Sequence, residues 1–121
     1  MQLVFYSRFG NVKKFIQKLN QNAFQINDLP LIINSGYILF TPTYREKNGS
    51  YVPYLVNEFL KLEKNWFFLR GIIASGDSNF ISTFCKAGYV LSQRYKVPLY
   101  HTFEGPGNEK DIEKVKEILN T

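Results

Sequence analysis

Five short apolar runs punctuate this chain, and each gives way to a segment with a different spacing of apolar residues. The runs are Leu3–Tyr6, Ala23–Ile26, Tyr37–Phe40, Gly71–Ala74 and Val97–Tyr100, with Phe67–Leu69 leading into the fourth. The strongest of them are continuous rather than alternating, which marks strands of a parallel sheet covered on both faces. Between the runs, Val12, Phe15, Ile16 and Leu19 recur at helical spacing over residues 11–20. Val52, Leu55, Val56, Phe59 and Leu60 do so from Val52-Pro53 to about Lys64, with Pro allowed in the first turn. Phe80, Phe84, Ala87 and Leu91 mark a third helix. Ile112, Val115, Ile118 and Leu119 mark a fourth, opened by a capping-box variant at Asn108 and Asp111. Leu31-Ile32-Ile33 reads equally as a connecting strand or a loop. Right-handed crossovers between such strands predict an α/β, doubly wound five-stranded parallel sheet of order 2-1-3-4-5, with helices on both faces. At 121 residues, without repeats or linkers, the chain is expected to form one domain, 1–121.

On such sheets ligands sit beyond the carboxyl ends of the strands, at the switch point beside strand 1. Three loops converge there: residues 7–12, 42–50 and 75–80, all rich in Ser, Thr, Asn, Gly and aromatics. In the first, Ser7-Arg8-Phe9-Gly10-Asn11-Val12 passes from strand to helix. Unpaired backbone N–H groups and the positive end of the helix dipole then face one small space, which makes an anion site. Ser7 and Asn11 add side-chain donors and Arg8 adds charge. The same residues also suit a plain helix cap. With a single glycine, Gly10, the turn fits neither Walker A nor the dinucleotide fingerprint, which favours a lone monophosphate. Tyr44 and Phe80 could flank a flat ring on the phosphorylated chain, with backbone groups of residues 43–49 and 75–79 bonding its polar edge. Phe80 has an equal claim to be a core aromatic at the head of its helix.

The formal net charge of +5 raises nucleic acid as a partner. The cations are scattered, however, over Lys13, Lys14, Lys18, Arg45, Lys47, Lys61, Lys64, Arg94 and Lys96, without an aromatic RNA-binding motif or a basic tail. Solvated helix faces account for most of them, and no nucleic-acid or membrane partner is expected. No apolar run approaches the ~20 residues of a membrane span, and Met1 leads straight into the first strand, so a cytoplasmic location is expected. One cysteine, Cys85, and one histidine, His101, exclude an internal disulfide and make a zinc site implausible. Cys85 reads as a buried apolar thiol, and His101 as structural or surface, with no carboxylate close in sequence. No nucleophilic triad or paired carboxylates appear.

These motifs together resemble the NrdI family of small flavodoxin-like proteins. Ser7-Arg8-Phe9-Gly10-Asn11-Val12 is similar to the family's S-x-T-G-N-T/V phosphate loop. Phe40-Thr41-Pro42-Thr43-Tyr44 matches the segment entering its second flavin loop, and Val52-Pro53 the opening of its next helix. Arg70-Gly71-Ile72-Ile73-Ala74-Ser75-Gly76, then Asn79-Phe80, resembles R-G-V-I-A-S-G-N-R-N-F. Tyr95-Lys96-Val97-Pro98-Leu99 and Phe103-Glu104 fit the closing pattern. The resemblance implies FMN as cofactor, held by Ser7, Arg8, Phe9, Gly10, Asn11, Val12, Pro42, Thr43, Tyr44, Asn48, Gly49, Ser75, Gly76, Asp77, Asn79 and Phe80. It implies that the reduced flavin, fed by a flavin reductant, reacts with dioxygen to make a superoxide-type oxidant. That oxidant serves cofactor assembly in NrdF, the small subunit of class Ib ribonucleotide reductase.

The chain departs from the family pattern at several points. Phe9 replaces a Thr, Asp77-Ser78 replaces Asn-Arg, Ile81 stands where Gly is common, and the second loop, Arg45-Glu46-Lys47-Asn48-Gly49, holds few glycines. The cations Arg8, Lys13, Lys14, Arg45 and Lys47 near the loops predict a positive potential around a flavin. Two other readings stay open: a general electron-transfer flavodoxin, and a cofactor-free binding or signalling module. A receiver-type module needs acidic residues after strand 1, where this chain has Ser7-Arg8.

Overall fold

The computed structural model describes residues 1–120. Five strands form one parallel sheet in the order β2-β1-β3-β4-β5, the predicted order. They are β1 (Gln2–Phe5), β2 (Phe24–Gln25), β3 (Tyr37–Thr41), β4 (Leu69–Gly76) and β5 (Leu99–Glu104). The helices are α1 (Asn11–Leu19), α2 (Tyr54–Lys61), α3 (Lys86–Tyr95) and α4 (Glu109–Leu119). Strand side chains alternate between two cores, as a period of two requires. Leu3, Phe5, Ile38, Phe40 and Ile73 join the buried faces of α1 and α4. Val4, Tyr37, Leu39 and Ile72 join α2 and α3. β3 is buried along its whole length, so its sequence is apolar throughout.

Helix α1 has only nine residues, too few to persist alone. Burial of Val12, Phe15, Ile16 and Leu19 holds it, a contribution of ~6–12 kcal/mol at ~1.5–3 per side chain. Phe15 stacks on Phe103 at 4.0 Å between ring centroids. β2 pairs over only two positions, Val4 with Phe24 and Phe5 with Gln25. The chain from there to β3 has no regular structure, so Leu31–Ile33 is a loop. That loop is held by Asn65, a fully buried amide. Its Oδ1 accepts from the Ile33 N–H at 2.9 Å, and its Nδ2 donates to the Leu31 and Phe59 carbonyls at 2.8 Å.

Two helices differ from expectation. α2 ends at Lys61, and a 3-10 segment runs from Leu62 to Phe68, broken by left-handed Glu63 and Lys64. The pair of positive φ angles prevents the helix continuing to Lys64. The third helix begins at Lys86 rather than near Phe80, because Cys85 is itself left-handed (φ 54°). The Asn108–Asp111 capping box is formed in both directions. No described helix is long and apolar enough to cross a membrane.

Candidate functional site

The carboxyl ends of β1, β3, β4 and β5 open into a cleft of about 1110 Å³, at the upper end of the size of small-ligand sites. The first loop contributes Phe9 and Asn11, the second Pro42, Thr43, Tyr44, Arg45 and Tyr51. Ser75–Asp77, Asn79 and Phe80 come from the third, with Ile81–Thr83 beyond it. The end of β5 adds Glu104 and Gly105. The three loops picked out in the sequence therefore meet.

At the first turn, Gly10 sits just before α1 with φ 101°. A Cβ there would meet nothing within 4 Å, so backbone conformation rather than space requires glycine. The Ser7 hydroxyl accepts from the Lys13 N–H at 3.2 Å, and the Gly10 carbonyl accepts from the Lys14 N–H at 2.9 Å. The N–H groups of Asn11 and Val12 precede any acceptor within the helix and point out of its positive end. The Val12 side chain is buried in the core, so only its backbone can serve an anion. The Ser7 hydroxyl keeps its own proton to donate.

Arg8 takes a different place from the one its charge predicts. It is absent from the cleft lining, and its Nη2 donates to Glu46 Oε1 at 2.6 Å. Burial lowers the pKa of its guanidinium, but hydrogen bonds to Tyr6 and Glu46 outweigh that and the net shift is upward. Arg8 also lies over the Tyr44 ring, 4.9 Å from its centroid. Burial raises the Tyr44 phenol's pKa, with Arg8 opposing. Phe9, largely exposed, meets Tyr44 edge-on at 5.3 Å.

The second loop is braced internally. The Glu46 N–H donates to the Ser50 carbonyl at 2.7 Å and the Gly49 N–H to the Glu46 carbonyl at 2.9 Å. The Ser50 N–H donates to Asn48 Oδ1 at 2.9 Å. Asn48 and Gly49 (φ 86°) thus shape the loop and lie outside the cleft lining. The Thr43 hydroxyl accepts from the Ala87 N–H at 3.3 Å and caps α3 from across the fold.

The third loop is held by two carboxylates. Asp77 Oδ1 accepts from the Asn79 N–H at 2.9 Å. Glu104 Oε2 accepts from both the Ser78 N–H and the Ser78 hydroxyl. Phe80 is exposed (64%) on the rim of the cleft, which decides against a core role. Cys85 is buried, its Sγ donating to the Ala74 carbonyl at 3.5 Å, and burial pushes the thiol up to about 12. His101 does have a carboxylate: Asp111 Oδ1 lies 2.8 Å from its Nε2, on the helix that follows.

Of the residues expected at the site, Phe9, Asn11, Pro42, Thr43, Tyr44, Ser75, Gly76, Asp77, Asn79 and Phe80 line the cleft. Ser7, Arg8, Gly10, Val12, Asn48 and Gly49 are not among its lining residues. Sequence reasoning missed Tyr51, Ile81, Ser82, Thr83, Glu104 and Gly105, and named Arg45 only as a loop cation. The strand-end rule could have found Glu104, the last residue of β5. Among cleft-lining residues the charged side chains are Arg45, Asp77 and Glu104, one cation against two anions, and Arg8 is neutralised by Glu46.

A parallel sheet of this order, with an anion-binding turn and a ring-sized cleft at its switch point, defines a flavodoxin-like protein. Solved structures agree. A flavodoxin from Streptococcus pneumonia superposes with a TM-score of 0.69 at 18% identity, covering 98% of this chain and 94% of that one. An oxidised flavodoxin from Bacillus cereus gives 0.60 at 17%, with 98% and 94% covered. The family model described as "NrdI Flavodoxin like" matches residues 3–117. "Protein NrdI" of Mycoplasmopsis pulmonis is 41% identical over 97% of this chain and 82% of that protein. Those of Mesoplasma florum (40%; 98% and 83%) and Corynebacterium ammoniagenes (40%; 91% and 85%) are similar to it to the same degree. The chain belongs to the NrdI family. It is a flavoprotein of that family, with FMN as its cofactor.

The residues present fit that group. The α1 terminus offers N–H donors to one phosphate, and the cleft lining combines the aromatics Phe9, Tyr44, Tyr51 and Phe80 with Ser75, Gly76 and Asp77.

Proposed function

We propose that this chain, acting as a single flavodoxin-like unit in the cytoplasm, serves the NrdF subunit of class Ib ribonucleotide reductase. The bound flavin supplies one chemistry, passing electrons from a flavin reductant to dioxygen so that a superoxide-type oxidant reaches the NrdF metal site. The observation that carries this reading is the meeting of all three loops around one cleft in a chain matched to the family from residue 3 to 117.

The roles of the residues follow from their places. Backbone N–H groups at Gly10, Asn11 and Val12, with the Ser7 hydroxyl and the Asn11 amide, hold the phosphate. Tyr44 and Phe80 flank the ring. Backbone groups of Thr43, Ser75, Gly76, Asp77 and Asn79 bond its polar edge, and Pro42 and Phe9 wall the slot. Asn48 and Gly49 fix the loop that covers it. Asp77 and Glu104 hold the opposite loop and bring negative charge close to the ring.

The test has two stages. Purified protein is expected to be yellow and to release FMN on denaturation. Reduced protein added to metal-loaded NrdF in air is then expected to produce the NrdF radical, which reductant and air without this chain do not. Colourless protein that takes up no FMN would overturn the whole reading. Equal radical yield without the chain would overturn the NrdF role alone.

A further inference from the structure

The phosphate turn and the second loop are joined side chain to side chain. Arg8, one residue past Ser7, pairs with Glu46 at 2.6 Å and covers the Tyr44 ring at 4.9 Å. Its Nε donates to the Tyr6 hydroxyl at 3.3 Å. Phe9, from the same turn, meets the same Tyr44 ring. The Arg8 and Glu46 side chains are only 29% and 17% exposed, so water and salt screen the pair less than a free surface pair. Of Arg8's donors, Nη2 is directed at the second loop and Nε at Tyr6 at the end of the first strand, and Arg8 is not among the cleft-lining residues.

The tip of the second loop is closed on itself, with the N–H groups of Glu46 and Gly49 bonded to backbone carbonyls and that of Ser50 to the Asn48 side chain. Thr43 ties the start of the loop to the third helix, and Glu46 and Tyr44 are the points at which the loop meets Arg8 of the phosphate turn. We infer that Arg8 is a positioning residue: through Glu46 and Tyr44 it latches loop 42–50 onto the phosphate turn, and so governs how fast a bound flavin leaves rather than how its phosphate is held. This rests on the flavin reading of the cleft. It assigns the conspicuous cation of the phosphate turn to a duty the cofactor's phosphate does not share.

The latch and a phosphate contact predict different behaviour with riboflavin, which has the ring but no phosphate. Dissociation of FMN and of riboflavin is followed by return of flavin fluorescence on dilution, for the wild type, Arg8→Met, Arg8→Lys, Glu46→Gln and the double variant Arg8→Met/Glu46→Gln. Breaking the latch is expected to speed release about fivefold, the scale of one shielded ion pair and one cation–π contact. The factor should be the same for FMN and riboflavin. The double variant should release no faster than Arg8→Met, which already removes both the ion pair and the cation–π contact, and Glu46→Gln alone, which leaves Arg8 over the Tyr44 ring, should have the smaller effect. Arg8→Lys should fall between, keeping the charge and losing the planar stack.

Hydrogen exchange supplies a flavin-free readout. In the apo-protein, residues 42–50 of Arg8→Met and Glu46→Gln should exchange faster, with the strands unchanged. Faster FMN release with riboflavin unaffected would make Arg8 a phosphate ligand and overturn the latch, as would slower FMN release from Glu46→Gln. Unchanged exchange in both variants would overturn it too. A wild type that binds neither flavin would overturn the cofactor reading and the rate claim, and the exchange arm would then decide whether the latch itself exists.

Discussion

Asn65→Ala removes a buried amide on which an otherwise unstructured crossover depends. Three side-chain hydrogen bonds disappear: from the Ile33 N–H, to the Leu31 carbonyl and to the Phe59 carbonyl. The three losses are unequal. The Phe59 carbonyl still accepts from the Leu62 N–H, so its loss costs about 1 kcal/mol, the net value of an ordinary bond. The Ile33 N–H sits in the core beside a side chain only 4% exposed and is left without a partner, at about 2 kcal/mol. The Leu31 carbonyl is partly buried and finds water more readily, at about 1 kcal/mol. The sum is about 4 kcal/mol, before any contribution from the small void. That is a large share of the roughly 5–15 kcal/mol by which domains are stable, and would lower Tm by about 15 °C at this chain length. Urea unfolding followed by circular dichroism would measure it. Tyr37→Phe, which removes only the Tyr37 hydroxyl's bond to the Asn65 carbonyl at 2.9 Å, should cost about 1 kcal/mol as a reference. A loss below about 1 kcal/mol for Asn65→Ala would show that water replaces the amide, and would refute the account of this crossover.

Gly88→Ala should destabilise by about 1–3 kcal/mol, measured in the same way, because the new Cβ would lie 2.6 Å from the Ala74 Cβ and 2.8 Å from Leu99 Cδ1. Asp111→Ala should cost about 1 kcal/mol through loss of the reciprocal half of the capping box, the bond its carboxylate accepts from the Asn108 N–H, with its His101 contact removed as well, and should speed amide exchange in the first turn of α4. Cys85 should resist a thiol-specific colour reagent at pH 8 until the protein unfolds, since burial holds its folded pKa at about 12 against an ordinary 9.0. The sign follows from linkage. The folded thiol keeps its proton longer than the unfolded one, so its contribution is complete below about pH 9 and lost as pH rises towards 12. Reaction at pH 8 faster than global unfolding would show an open path to the sulfur.

The flavin potential tests the charge of the cleft lining. With Asp77 and Glu104 lining the cleft and Arg8 paired to Glu46, Glu104→Gln should raise the reduction potential, because removing an anion favours added electrons. A redox titration showing no change, or a fall, would place that charge out of reach of the ring.

What the sequence alone determined is what depends on local order. Apolar runs without alternation, such as Tyr37–Phe40, require two covered faces, and helical spacing between them supplies the covers. The sheet order and the three facing loops follow from chain handedness. The resemblance in residues 70–76 and 79–80 pointed to the family and its cofactor. The tertiary structure decided what depends on partners distant in the chain. Arg8 reads as an unpaired cation of the phosphate turn until the fold brings Glu46, 38 residues away, to within 2.6 Å of it. His101 reads as unpaired until α4 folds Asp111 back onto it. Asn65 carries no local signal, and its role exists only because the fold lays the crossover across it. Local spacing sets which backbone geometry a segment adopts, whereas a side chain's charge and hydrogen bonds are completed by whichever neighbour the fold delivers.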